Sequence, residues 1–212
     1  MTTKFQLHCG RWKDGCGSAH CAAAQHRVLY RGKIPCDVLF IAEAPGESED
    51  CVGTPLEGPA GHKLDQIIER ALAQAPARPD GRPWRVGFTN LVGCIPRDDG
   101  GLAKAADGPD DDQVGACTPR LQEIVRIADP ALLVLVGKQS QEWITPGYKH
   151  SIRFHKSIKT VGIIHPAAIM RQNVANQSVA WQRCVVQVAT ALEDLRPPEP
   201  PKTLIDRDDI PF

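Results

Sequence analysis

The chain lacks a net charge: 25 Lys and Arg balance 25 Asp and Glu over 212 residues. No global field therefore draws it toward nucleic acid or a membrane surface, and any contact with DNA must rest on a local patch. It lacks an apolar run near the roughly 18 residues that span a bilayer, which excludes a transmembrane helix. The opening MTTKFQLHCGRWKDG holds no apolar signal core, and no internal repeat is found. The chain is expected to act in a cytoplasm, as a monomer without a membrane partner. There its eight cysteines, Cys9, Cys16, Cys21, Cys36, Cys51, Cys94, Cys117 and Cys184, are not read as disulfides. They read as metal or cluster ligands, with Cys36, Cys51 and Cys184 left as buried, unligated thiols.

What is present is an alternation of short apolar runs and amphipathic segments. Hydrophobic residues make up 42 % and charged residues 24 %, which suits one globular domain, residues 1–195. Strands are expected at Asp37 to Ala42, Arg85 to Val92, Ala131 to Val136 and Lys159 to Ile164. Between them, Leu64, Ile67, Ile68, Ala71 and Leu72 repeat at helical spacing, as do Leu121, Ile124, Val125 and Ile127. A short helix is expected from Gly137, and a last one over 175–195 with Val179, Trp181, Val185, Val188, Ala189 and Leu192 on its apolar side. Four such alternations predict a parallel α/β sheet with helices on both faces. Residues 1–35 show little periodicity, so a metal centre is expected to supply their order. Residues 196–212, RPPEPPKTLIDRDDIPF, cannot build a core and are expected to be an extended or disordered tail.

The polar residues cluster where strands end, and in open α/β sheets ligands bind at the carboxyl ends. Glu43-Ala44-Pro45-Gly46 follows the first strand and continues through Glu49-Asp50, Gly53, Pro55, Gly58 and Ala60-Gly61. Thr89-Asn90-Leu91-Val92-Gly93-Cys94 ends the second, and His165-Pro166-Ala167-Ala168 follows the fourth. Together and in this order, these residues resemble the family 4 uracil-DNA glycosylases, the iron–sulfur branch of that superfamily. The family patterns are GEAPG..ED..G.PFVG.AG, TN..KC and HPS or HPA.

The resemblance implies a three-layer αβα sandwich around a four-stranded, mainly parallel sheet. It implies an enzyme that flips uracil out of DNA and hydrolyses its N-glycosidic bond in base excision repair. His165 is the implied donor to the uracil carbonyl, best served by a neutral imidazole. Asn90 is the implied reader of the base, accepting from N3–H and donating to O4, a pair that cytosine reverses. Glu43 and Glu49 are candidates for orienting water or countering the sugar cation, with Glu47 solvated. Ala44, Gly46 and Leu56 are candidate base contacts, and Arg171 a candidate phosphate contact. The basic run Lys149, His150, Arg153, His155 and Lys156 reads as a phosphate-facing patch or a solvated loop.

The resemblance also implies a four-iron four-sulfur cluster held by Cys16, Cys21, Cys94 and Cys117, with Cys9 the alternative to Cys16, whose expected family position is Ser18. Zinc is the rival, because four thiolates satisfy it as well. The chain departs from the pattern at Leu56, where the family has a Phe that stacks on the base, at Ala42 for Gly, and at Gly93 for Lys. It also carries the acidic insertion DDGGLAKAADGPDDD between Cys94 and Cys117. These changes leave a glycosylase for another damaged or modified base, and a non-catalytic binding module on the same fold, as alternatives. Finally, Asp208, Asp209, Ile210, Pro211 and Phe212 resemble the C-terminal tip of bacterial single-stranded DNA-binding proteins, which implies partners that recognise that tip.

Overall fold

Two five-residue apolar runs, Val38–Ala42 and Leu132–Val136, are buried along their whole length, as strands covered on both faces must be. The structure is a computed structural model describing residues 3–17, 19–22, 24–78, 80–97, 108–147 and 151–195. The expected tail 196–212 with its Asp208 to Phe212 tip, Ser18, most of the acidic insertion (98–107), Lys149 and His150 lie outside the described residues.

In chain order the described elements are α1 (Lys4–Trp12), α2 (Ala19–Ala22), β1 (Arg31–Gly32), β2 (Val38–Ala42), α3 (Glu47–Val52), α4 (Pro59–Gln74) and β3 (Val86–Asn90). They continue with α5 (Asp111–Ala128), β4 (Leu132–Val136), α6 (Lys138–Ile144), β5 (Lys159–Ile163), α7 (Pro166–Met170) and α8 (Val174–Glu193). The sheet order is β1-β3-β2-β4-β5. The four expected strands pair in parallel, with Ala42 opposite Asn90 and Leu135 opposite Gly162. A fifth strand was not expected: β1 pairs antiparallel with the edge of β3. It spans two residues, too few to leave a period in sequence.

Alternation along the central strands builds the three layers. Val38, Phe40, Val134 and Val136 face a core with Leu64, Ile67 and Ile68 of α4 and Val185, Val188 and Leu192 of α8. Leu39, Ile41, Leu133 and Leu135 face the opposite core, with Leu121, Ile124 and Val125 of α5. Val179 does not join the buried stripe of α8, being 71 % exposed. At 100° per residue it falls outside the arc of Ala180, Cys184, Val185, Val188, Ala191 and Leu192.

The N-terminal segment holds a helix that the sequence reading did not expect. Residues 4–12 form a helix, opened by a Thr3–Gln6 capping box. It docks on α5 through polar contacts, with Phe5 alone packing against the apolar core on that face. Glu123 takes hydrogen bonds from Arg11 (2.9 Å) and Trp12 (2.6 Å) and pairs with the buried His8 Nδ1 (3.2 Å). Burial raises the Glu123 carboxyl, but its bonds to Trp12 and His8 and the Arg11 charge outweigh that and hold it below the ordinary range. A search for apolar periodicity misses a helix held in this way. No helix among the described residues is long and apolar enough to cross a membrane.

Candidate active site

From β2 the chain passes to β3 on one side and then returns to β4 on the other. The loops leaving β2 and β4 therefore diverge, and a crevice opens at their carboxyl ends. A cavity of about 330 Å³ occupies that end, within the size range of small-molecule sites. Glu43, Ala44, Gly46, Glu49, Leu56 and His165 all line it.

Three strand ends converge there. Gly137, just after β4, has φ +99°; a Cβ at that position would lie 2.4 Å from Glu43 Oε1 and 3.2 Å from His165 Cβ. Only glycine permits both the conformation and the approach. Glu43 Oε1 accepts from the Gln139 backbone N–H at 3.3 Å. His165 caps α7, its Nδ1 accepting from the Ala167 N–H at 3.2 Å. That bond fixes the neutral tautomer with the proton on Nε2. Burial lowers the His165 pKa below 6.5, and the nearby Glu43 carboxylate only partly opposes it.

Glu49 stands differently from Glu43. Its Oε2 accepts from the Gly46 N–H (3.0 Å) and its Oε1 from the Gly58 N–H (3.1 Å). It thus clasps two stretches of the cavity wall. Leu56 sits between them in the left-handed region, at φ +60°, and is 5 % exposed. Its carbonyl lies so close to α4 that a Cβ on Gly61 would be 1.8 Å from the oxygen. A bulky residue at positive φ costs about 1–2 kcal/mol, which the packing around it must offset. Glu47 is mostly exposed, with Arg97 at 3.5 Å.

Asn90 ends β3 beside Ala42 and is 1 % exposed, yet neither its Oδ1 nor its Nδ2 has a hydrogen-bond partner. A buried amide left unpaired costs roughly 1–3 kcal/mol, so it asks for an explanation. Arg171 caps the C-terminus of α7 at the same end of the sheet and is exposed. Of the expected basic patch, Arg153, His155 and Lys156 precede β5, and Lys156 bonds Asp129 just before β4. In a parallel sheet that is the end opposite the cavity, so these residues do not flank it.

Beside the turn after β3, four cysteines line small adjoining cavities: Cys16, Cys21, Cys94 and Cys117. Cys21 Sγ lies 3.2 Å from Cys16 Sγ and 2.9 Å from Cys94 Sγ, and the Gly93 N–H points to Cys117 Sγ at 3.3 Å. Cys9, on α1, is not among the lining residues. The sulfurs are gathered but in thiol-contact spacing: among the described residues no three His, Cys, Asp or Glu side chains stand as a metal-binding group. The donor set nevertheless suits a soft, thiolate-bound centre, and two cations, Arg27 and Arg120, line the same space. Of the cysteines read as buried thiols, Cys36 and Cys184 are buried, but Cys51 is exposed on α3. Burial pushes the Cys36 thiol up to about 11.

Two roles in this region escaped the reading of the sequence. Asp50 is fully buried; it accepts from the His26 N–H (3.1 Å) and from Arg97 (2.9 Å), tying the cavity loop to the cysteine segment. Arg120, 1 % exposed, holds the backbone around Asn90. The one local signal was the lone Arg at a core position of α5, three residues after Cys117.

Residues 30–188 match the family model of the uracil DNA glycosylase superfamily. A protein of Sulfurisphaera tokodaii named type-4 uracil-DNA glycosylase is 32 % identical over 108 residues, covering 51 % of this chain and 43 % of the relative. One of the same name from Saccharolobus solfataricus is 32 % identical over 120 residues, 57 % of this chain and 49 % of the relative. A third, from Thermotoga maritima, is 25 % identical over 168 residues, 76 % of this chain and 78 % of the relative. The chain thus spans about half the length of the first two.

Proposed function

The chain belongs to the uracil-DNA glycosylase superfamily, and on that premise we propose that it is a type-4 enzyme that flips uracil out of DNA and hydrolyses its N-glycosidic bond in base excision repair. The observation that carries this reading is the buried, unpaired amide of Asn90, at the end of the strand paired with β2, whose following loop lines the cavity; Asn90 itself is not among the lining residues. Uracil supplies a donor at N3 and an acceptor at O4, the complement of that amide. Cytosine would leave both of its groups unmatched.

In the proposed reaction, cleavage leaves negative charge on the base and positive charge on the sugar. His165, neutral and protonated on Nε2, donates to the base carbonyl on which charge develops. Glu43 is the carboxylate proposed to orient the attacking water or face the sugar cation. Glu49, with both oxygens already accepting backbone N–H groups, is proposed to act by holding the wall. Ala44, Gly46 and Leu56 contact the base, and Arg171 a phosphate. Cys16, Cys21, Cys94 and Cys117 would hold a four-iron four-sulfur cluster, with zinc the alternative. When bound, such a centre supplies order to the N-terminal segment rather than a step of the reaction. The proposed workplace is a cytoplasm, with uracil-containing DNA as partner.

The test is incubation with single- and double-stranded oligonucleotides carrying uracil or hypoxanthine, followed by alkaline cleavage of abasic sites. Product from uracil supports the reading, and no product from any substrate sinks it. Leu56 favours a second reading, activity on another damaged base, because it offers apolar contact without the stacking worth about 1–3 kcal/mol per base. Leu56→Phe is expected to raise the uracil rate; a fall, with hypoxanthine the better substrate, would support the second reading.

A further inference from the structure

We propose that Arg120 is a positioning residue, which sets Asn90 for base recognition and ties that setting to the four-cysteine pocket. The inference rests on the proposed role of Asn90. The Asn90 side chain makes no hydrogen bond of its own, so its place is fixed through its backbone. Arg120 supplies that fixing. One guanidinium nitrogen donates to Thr89 Oγ1 at 3.1 Å; the other donates to the Asn90 carbonyl and, at 3.0 Å, to the Leu91 carbonyl. Thr89 Oγ1 in turn donates to the Leu29 carbonyl at 2.8 Å. The same turn reaches Glu43: the Leu91 N–H bonds the Ala42 carbonyl (2.9 Å) and the Val92 N–H the Glu43 carbonyl (3.3 Å).

The other side of Arg120 faces the cysteines. It lines their cavity with Arg27, and its Nε is buried without a partner. Cys117 lies about one turn before it on α5. Gly93 leaves room for it, because a Cβ there would sit 3.3 Å from Arg120 Cδ and 3.4 Å from Nε. Among the described residues no carboxylate forms an ion pair with this buried cation. A buried guanidinium without an acidic partner is costly, and here its charge is turned toward thiol sulfurs while its N–H groups grip the turn that carries Asn90. Three neutral oxygens in one fork need the planar, multiply donating guanidinium, which lysine cannot reproduce.

The test uses the whole chain with Arg120→Lys, Asn90→Ala and the double variant, each checked by thermal unfolding. Single-turnover excision of uracil is followed with enzyme in excess. Arg120→Lys is expected to slow excision about tenfold when Asn90 is present and less than about twofold in the Asn90→Ala background, the coupling of groups acting as one unit. Equal losses in both backgrounds would overturn the proposal. A second readout does not depend on catalysis. The Asn90 side-chain amide resonance, assigned by its disappearance in Asn90→Ala, is expected to shift in Arg120→Lys; an unmoved resonance would overturn the proposal. If the unsubstituted protein releases no uracil, the proposed function falls, while the resonance still decides the role of Arg120. Should Arg120→Lys fail to fold, Thr89→Val removes one of the three acceptors and is expected to move the same resonance.

Discussion

At the scale of single residues, the proposed site rests on two polar groups in opposite circumstances. Asn90 is buried with nothing to bond, and His165 is half-buried with one ring nitrogen satisfied. Removing either is expected to cost about 100-fold or more in single-turnover excision, the usual loss when a preorganised donor is deleted. Rates within a few-fold of the unsubstituted protein for both variants would refute the assignment. His165 also sets a pH dependence. Burial holds its pKa below 6.5, so the neutral form persists as pH falls through 6.5. The acid limb of the rate profile is expected below pH 6.5, and a limb above it would contradict the neutral-donor role. The stability dependence has the same direction. His8 and His165 are both lowered by burial, so the unfolded chain takes up their protons first. Their contribution is full above the unfolded value of 6.5 and declines as pH drops below it.

At the scale of elements, the polar docking of α1 is the feature that periodicity does not reveal. Glu123 gathers His8, Arg11 and Trp12, and two of these contacts involve partly buried groups. Glu123→Ala is expected to destabilise the protein by about 1–3 kcal/mol, since it leaves the buried His8 ring without its carboxylate. Chemical unfolding measures this, and an unchanged midpoint would show that α1 is held otherwise. The loop between β2 and α4 follows a similar logic. Glu49 clasps Gly46 and Gly58, and Asp50 pins the same loop to His26 and Arg97. Both were visible in sequence as acidic residues in a glycine-rich loop. That Glu49 would also reach Gly58 and that Asp50 would be fully buried was not visible, because those partners lie 9, 24 and 47 positions away.

At the scale of the whole molecule, the cysteine pocket joins segments that the chain separates widely, from Cys16 to Cys117. If it holds an iron–sulfur centre, purified protein is expected to be brown and to contain iron and labile sulfide. Stripping the metal would then lower the unfolding temperature. Colourless protein containing zinc would favour the alternative. The sequence by itself determined the layers and the end of the sheet at which the candidate site lies. Apolar alternation is a local property, and the buried runs at Val38–Ala42 and Leu132–Val136 leave no other packing open to them. The positions of Glu43 after β2, Asn90 at the end of β3 and His165 after β5 were legible for the same reason. Tertiary structure alone decided what holds them in place. Arg120, Gly137, Asp50 and Glu123 act across the fold through hydrogen bonds or close approach to residues distant in the chain. Such pairings obey no period, and they exist only once the sheet has brought its strand ends together.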